Sequence, residues 1–325
     1  MPAISVLVPI YNSCQYLPAC LDSLARQTVT DIEIICIDDC STDNSLAIAR
    51  SYAAKDGRFQ VFSLPTHQGI ANIRNLLLKK ASAEYIAFVD ADDVVSPKYL
   101  EILYKEAVKQ NADIVRCLYN LWNVQTNQQI PCEKRYKGFL RKEPDGKPIN
   151  RLQAALDDTQ VWLKLIRLDV IRKNQIKFLP NTLAEDISFE ILLYQYAERI
   201  CFLPQHLYVY RMGNPNSLSA RKNLWAYGTL ENLIFVAQEL VKRQKTDAAM
   251  CSRIIKLLFH AMRRLRKFVL PDGYMVGPLC RKGFSTVEKI LCYVSCFMRF
   301  RAYLFCWVAR RVSDKKLPWV AFWMR

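Results

Sequence analysis

Two places in the chain gather carboxylates in patterns that can do chemistry. The stretch "YIAFVDADD", Tyr85 to Asp93, runs an apolar segment straight into Asp90, Asp92 and Asp93. In a continued strand Asp90 and Asp92 share a face, and in a turn they can converge on one ion. Hard divalent cations take oxygen ligands, and Mg²⁺ is held by one or two carboxylates together with substrate phosphates. The stretch "AEDISFEILL" sets Glu185 and Asp186 side by side at the head of an apolar helical pattern. A carboxylate there, ionised and within reach of a hydroxyl, is a candidate general base. Each pair also has a plainer reading. Asp92 and Asp93 can cap a following helix, and two acids in a first turn are favoured by the helix dipole alone.

Smaller signals lie near the first cluster. Asp38 and Asp39 end "DIEIICIDD", and an acid past a strand end can accept hydrogen bonds from a ribose or a base. The alternative is a turn with helix capping through Ser41. Asn12, after "VPIY", can both donate and accept. Arg74, in "GIANIRNLLLKKA", can offset phosphate charge or pair with a carboxylate.

These groups need elements to position them. "ISVLVPI", "DIEIICIDD", "FQVFSLP", "YIAFVD" and "ADIVRCLYNLW" read as strands. Between them lie helical patterns, "YLPACLDSLARQ", "STDNSLAIARSYAAK", "GIANIRNLLLKKA" and "SPKYLEILYKEAVKQ". Ser96 is expected to cap the last, with Pro97 in its first turn. The βαβα order predicts an α/β fold, a mostly parallel sheet with helices on both faces. Ligands then bind outside the carboxyl ends of the strands, so the acidic strand ends share one crevice. No G-x-G-x-x-G follows the first strand and no G-x-x-x-x-G-K-[ST] occurs. A nucleotide held here would rely on a metal rather than a glycine loop. Residues 122–158 are polar and loop-like; order returns at "VWLKLIRLDVIRKNQIKF".

Net charge is +16, and it is unevenly placed. From Arg253 onward there are sixteen Lys or Arg and three Asp or Glu, a net of +13, which leaves +3 for the rest. The tail's aromatics are embedded in apolar runs, unlike a base-stacking surface, so no nucleic-acid partner is expected. The opening "MPAISVLVPIYN" has neither the basic region nor the long apolar core of a secretory leader. No C-x-x-C pair occurs among the twelve cysteines. Reduced, cytoplasmic thiols serving as small core residues are expected.

"ISVLVPIYN", "IDDCSTDNS", "GIANIRN" and "YIAFVDADD", in this order and spacing, resemble the family 2 glycosyltransferases of bacterial type, with the Rossmann-like GT-A fold. The resemblance covers roughly residues 3–215. It implies a catalytic domain over 1–218 and a basic, aromatic helical extension over 219–325. It further implies that Pro9, Tyr11 and Asn12 line a nucleotide pocket. Asp39 would bind the base, usually uracil, and Arg74 would lie near the donor. Asp90, next to Ala91, would contact ribose or sugar, and Asp92 would ligate Mg²⁺ or Mn²⁺ bridging the diphosphate. Asp186 matches the family's usual catalytic base, and Tyr210 and Arg211 would lie near the diphosphate. The chain departs from the pattern at Cys40 (usually Gly), Leu77 (usually small) and Ala83 (commonly Gly).

The resemblance implies a metal-dependent inverting transferase. Its partners would be a nucleotide-sugar donor, a UDP-sugar, and a glycan or lipid-linked acceptor in cell-surface polysaccharide or glycolipid assembly. The alternatives are a nucleotidyltransferase, or a catalytically inactive nucleotide-sugar-binding relative. Ile290–Arg311 is long enough to span a bilayer. However, Arg299 and Arg301 sit near its middle, where each would cost about 2.5–3.5 kcal/mol. Lying on an anionic membrane surface is cheaper, since the arginines can snorkel. The expectation is peripheral attachment at the inner face of the cytoplasmic membrane; the alternative is a helix packed on the catalytic domain.

Overall fold

The computed structural model describes residues 1–132, 159–212 and 222–243. Strands β1 (Ile4–Ile10) and β2 (Ile32–Asp38) are buried along their whole length. Continuous apolar runs require this, because helices cover both faces of a parallel sheet. β3 (Phe59–Ser63) pairs parallel with β2, and β4 (Tyr85–Phe88) pairs parallel with β1. In register, Ile10 lies beside Asp38 and Leu7 beside Phe88. The exits of β1, β2 and β4 therefore open on one edge, where Asn12, Asp39 and Asp90 follow.

Beyond β4 the sheet changes character. β5 is the two-residue strand Val94–Val95, β6 is Ile114–Asn123 and β7 is Gln128–Pro131. β8 is Lys164–Arg167 and β9 is Ile200–Met212. The nine strands run in the order β3-β2-β1-β4-β8-β6-β9-β5, with β7 beside β6. β8 is antiparallel to both β4 and β6, and β5 is antiparallel to β9. The parallel expectation thus holds for the first half, and the second half is mixed. β8 is entered from a 3₁₀ turn at Val161–Leu163.

Helices α1 (Leu17–Ala25), α2 (Ser45–Ala53), α3 (Ile70–Lys80) and α4 (Tyr99–Gln110) connect the first strands. α5 (Leu168–Lys173), α6 (Glu185–Tyr196) and α7 (Lys222–Lys242) follow. α7 packs on α6, and the compact unit that holds the sheet runs Met1–Lys245. The basic tail, with its membrane expectation, lies outside the described residues. Among the described residues, no helix is long and apolar enough to cross a membrane.

Two capping expectations are corrected. α4 begins at Tyr99, and Ser96 offers its carbonyl to the Tyr99 N–H (2.9 Å) rather than its side chain. Its own N–H is tied to the Leu207 carbonyl (2.8 Å), so β9 sets its position. The Ser41 hydroxyl accepts the Asn12 N–H (2.9 Å), and Asp43 takes the Ser45 N–H (2.9 Å) at the start of α2. Buried Cys20, Cys36 and Cys117 act as small core residues with free thiols.

Where the family pattern has glycine, Cys40 adopts φ 61°. A side chain in the left-handed region costs about 1–2 kcal/mol, partly offset because glycine loses more chain entropy on folding. Cys40→Gly is expected to stabilise the fold by about 0.5–1 kcal/mol. Thermal and denaturant unfolding of the two proteins checks this, and a lower midpoint for the glycine variant would refute it.

Candidate active site

The centre of the site is Arg74, on the buried side of α3 and only 6% exposed. One guanidinium nitrogen donates to Glu185, and the other donates to Asp90 Oδ1 at 3.0 Å. Its plane lies near the rings of Phe88 (5.9 Å) and Phe178 (5.6 Å). Phe178 stacks on Phe189 of α6 at 4.0 Å, so the cation rests on an aromatic floor continuous with the core. Three segments distant in sequence are thereby joined: α3, the exit of β4 and the start of α6. The sequence named Arg74, Asp90 and Asp186; it did not show that Glu185 is the residue Arg74 holds.

Asp186 is half-buried beside Glu185. Among the described residues nothing hydrogen-bonds its carboxyl. Burial first, and then the Glu185 carboxylate, push it up to about 8 against the pull of Arg74. Arg74 itself is held above its ordinary value: burial works against the charge, but Asp90, Glu185 and Asp186 outweigh it. Ala184, just ahead of the pair, has φ 55°, so the chain enters α6 through a left-handed residue. Both acids occupy the first turn of the helix, as the plainer reading required. The dipole argument therefore applies, yet it does not account for the contact with Arg74.

The Asp90–Asp93 turn is not a helix cap. Asp93 N–H bonds the Asp90 carbonyl (3.1 Å), and β5 follows directly. Asp93 is fully buried, accepting from Tyr208 Oη (2.8 Å) and the Arg211 N–H (2.8 Å). Burial, then Asp92 and Asp90, raise it well above the carboxylate range. Tyr208 Oη also accepts the Asp90 N–H (3.2 Å), so β9 shapes the turn. Arg211 Nε donates to the Asp92 carbonyl (2.7 Å), and its guanidinium lies between Trp122 (4.2 Å) and Tyr16 (4.8 Å). Tyr208, Trp122 and Tyr16 were not singled out from sequence, and Asp93 was read there only as one of the acidic cluster or as a helix cap.

With Asp93 turned inward, Asp90 and Asp92 are the carboxylates left half-exposed at the turn, while Ala91 is buried. Among the described residues no cluster of three metal-ligating side chains occurs. An all-oxygen pair at a strand exit fits Mg²⁺ or Mn²⁺, which would complete its shell from substrate phosphate and water.

The residues that the family resemblance assigns to a nucleotide pocket gather at the exits of β1 and β2. Pro9 is buried in β1, and Tyr11 is 46% exposed with its ring 4.2 Å from that of His67. Asn12 (φ 45°) accepts the Thr42 N–H (2.8 Å). Asp39 is buried and anchors the entry to α3, accepting the N–H groups of Gln68 (2.6 Å) and Gly69 (2.8 Å). His67 Nδ1 lies 2.9 Å from the same carboxylate. Gly69, at φ 83°, is the residue that lets the chain turn there. Oδ1, which takes the Gln68 N–H, keeps a second lone pair of the kind a nucleobase N–H would need, whereas Oδ2 is shared by Gly69 and His67.

Residues 5–162 match the family Glycosyl transferase family 2. The chain is 30% identical to the glycosyltransferase GlyG of Streptococcus pneumoniae over 287 residues, 85% of this chain and 93% of that relative. It is 34% identical to the glycosyltransferase EpsJ of Bacillus subtilis over 67% of its own length, and spans 63% of EpsJ. Staphylococcus aureus TarS 1–349, solved in complex with UDP-GlcNAc, superposes with a TM-score of 0.65 at 25% identity. That likeness covers 82% of this chain and 73% of TarS. The chain belongs to glycosyltransferase family 2.

A raised Asp186 has a pH signature. The folded state keeps a proton that the unfolded chain releases near 4, so this group's contribution to stability is full in acid. It is lost as pH climbs through about 8. Activity runs the other way if Asp186 is the base. kcat/KM should rise with pH to a plateau above about 8, falling tenfold per unit below it. A pH–rate profile of the free enzyme checks this; a flat profile between pH 6 and 9 refutes it.

Proposed function

We propose that the chain is a metal-dependent inverting glycosyltransferase that moves a sugar from a UDP-sugar to an acceptor hydroxyl. The observation that carries the reading is the Arg74 bridge between Asp90, on the donor side, and Glu185, beside the candidate base. Asp92 would hold Mg²⁺ or Mn²⁺, which when bound would offset the charge of the diphosphate leaving group, and Asp90, held by Arg74, would face the ribose or sugar. Asp186 takes the proton from the acceptor oxygen as that oxygen bonds to the anomeric carbon. The bond from that carbon to the diphosphate breaks on the opposite face, leaving UDP and inverted stereochemistry. Arg74 holds Glu185 and Asp90 in place, and Asp186, which no described residue hydrogen-bonds, is left for the acceptor. The uridine preference is supported by the family resemblance at Asp39 and by the UDP-GlcNAc complex of TarS.

Two substitutions separate the parts. Asp92→Asn should lower turnover by two or more orders of magnitude, with a matching loss in chelator, because charge stabilisation at the leaving group is a large catalytic contribution. Asp186→Asn should abolish transfer while calorimetric UDP binding with Mg²⁺ stays near wild type. Undiminished activity in excess chelator would refute the metal, and normal transfer by Asp186→Asn would refute the base.

The acceptor reading is a glycan or lipid-linked hydroxyl in cell-surface polysaccharide or glycolipid assembly, and it leans on the tail. Each basic residue close to an anionic leaflet contributes about 1 kcal/mol, and Arg253–Arg325 carries a net +13. The proposal is peripheral attachment at the inner face of the cytoplasmic membrane. The full chain should pellet with phosphatidylglycerol vesicles at low salt and be released at high salt. A truncation after Lys282 should lose this, and a full chain that ignores such vesicles would rule the attachment out.

A further inference from the structure

The segment that carries Glu185 and Asp186 is gripped from outside by one side chain of α7. Asn232 is fully buried. Its Nδ2, with two hydrogens to give, lies within hydrogen-bond distance of the Leu183 carbonyl (3.0 Å), Thr182 Oγ1 (3.2 Å) and the Gly228 carbonyl in its own helix (2.8 Å), so one hydrogen is shared. Its Oδ1 accepts from the Ser188 hydroxyl at 2.5 Å. The contacts therefore fall on both sides of the acidic pair: Thr182 and Leu183 before it, Ser188 after it. Between them stands Ala184 in its left-handed conformation, one residue ahead of Glu185.

The approach of the two segments is backbone to backbone. A Cβ added at Gly228 would lie 2.0 Å from the Leu183 carbonyl oxygen, so no larger residue fits while α7 stays in place. Gly228 and Asn232 are one helical turn apart, on one face of α7. The first admits the Leu183 backbone and the second bonds it. A left-handed alanine survives only where surrounding contacts over-determine the backbone, and this clamp supplies them.

We infer that Asn232, seated on Gly228, is a positioning residue for the proposed base: it sets the aim of Asp186 through the 182–188 backbone without touching substrate. The inference rests on the reading of Asp186 as the base. It predicts a loss in kcat rather than in donor binding, because Asn232 bonds no donor-side residue. It also predicts a change in how Asp186 titrates, since the distances from Asp186 to Glu185 and Arg74 depend on the same backbone.

The test compares Asn232→Leu, similar in size but without hydrogen bonds, with Ser188→Ala, which removes one bond of the clamp. UDP release is followed with whichever of UDP-glucose, UDP-galactose and UDP-N-acetylglucosamine the wild type turns over fastest. Calorimetric binding of UDP with Mg²⁺ accompanies it. The expected result for Asn232→Leu is a kcat at least tenfold lower, a donor KM within twofold of wild type, and a displaced acid limb in the pH profile. Ser188→Ala should show the same in weaker form. A folded Asn232→Leu with wild-type kcat and acid limb overturns the inference. So does equal loss of UDP binding and turnover, which marks a general structural role. If Asn232→Leu does not fold, Ser188→Ala decides by the same criteria. Should Asp186→Asn itself transfer normally, it is the base assignment that fails. If the wild type turns over none of the three sugars, the donor reading fails, and amide exchange over 182–188 tests the clamp alone. Faster exchange there in Ser188→Ala supports it, and unchanged exchange overturns it.

Discussion

A guanidinium that is almost wholly buried must be surrounded by acids, and in this chain that requirement ties the site together. Arg74 cannot shed its charge, and an unpaired charge in the interior would cost more than a domain's whole stability margin. Asp90 and Glu185 answer it from sixteen and one hundred and eleven residues away. The pairing is weak evidence for stability, because desolvation takes back much of the attraction between buried charges. It is stronger evidence for geometry. With Arg74 in place, the β4 exit and the first turn of α6 must lie on opposite sides of one cation. Without it, Asp90, Glu185 and Asp186 would repel one another.

The second half of the sheet is arranged around a related need. The turn after β4 carries three carboxylates in four positions, and leaving all three in the crevice would crowd like charge. β9 removes one: Asp93 turns into the core, where Tyr208 and the Arg211 N–H satisfy it. The Arg211 side chain then reaches the Asp92 carbonyl from between two aromatic rings. What remains facing outward is an oxygen pair, Asp90 and Asp92, on a turn whose backbone is tied at Asp90 by Tyr208 and at Asp92 by Arg211.

The parts legible in the sequence are those set by local pattern. Continuous apolar runs marked β1, β2, β4 and β6, and helical spacing marked α1 to α4 and α6. An acid at a strand exit could be read as a site residue because parallel sheets place their crevice there. What was hidden depends on partners distant in sequence. Nothing near Arg74 announces Glu185, and Asp93 looks like Asp92 until Tyr208 is seen behind it. β5, two residues long, has no period to detect. Ser96 is a good cap by type, but a tertiary hydrogen bond to Leu207 decided its backbone first. The mixed strand directions in the second half depend on which distant strands pair, and no local hydrophobic pattern records that.

The same division bears on how the two halves of the site are built. The family match ends at residue 162, after the residues expected on the nucleotide side and the Asp90–Asp92 turn but before Glu185 and Asp186. The first half hangs its groups on strand exits, which hydrogen-bonded neighbours fix on both sides. Its positions change little unless the sheet itself changes. The acidic pair has no such frame. It sits at a helix start entered through a left-handed alanine, held by Arg74 on the inside and by α7 on the outside. On the proposed reading, an acceptor hydroxyl would meet Asp186 at this edge. Changes in α6 and α7 can therefore re-aim the proposed base toward a different acceptor while the donor-side turn and its carboxylates stay where the sheet puts them.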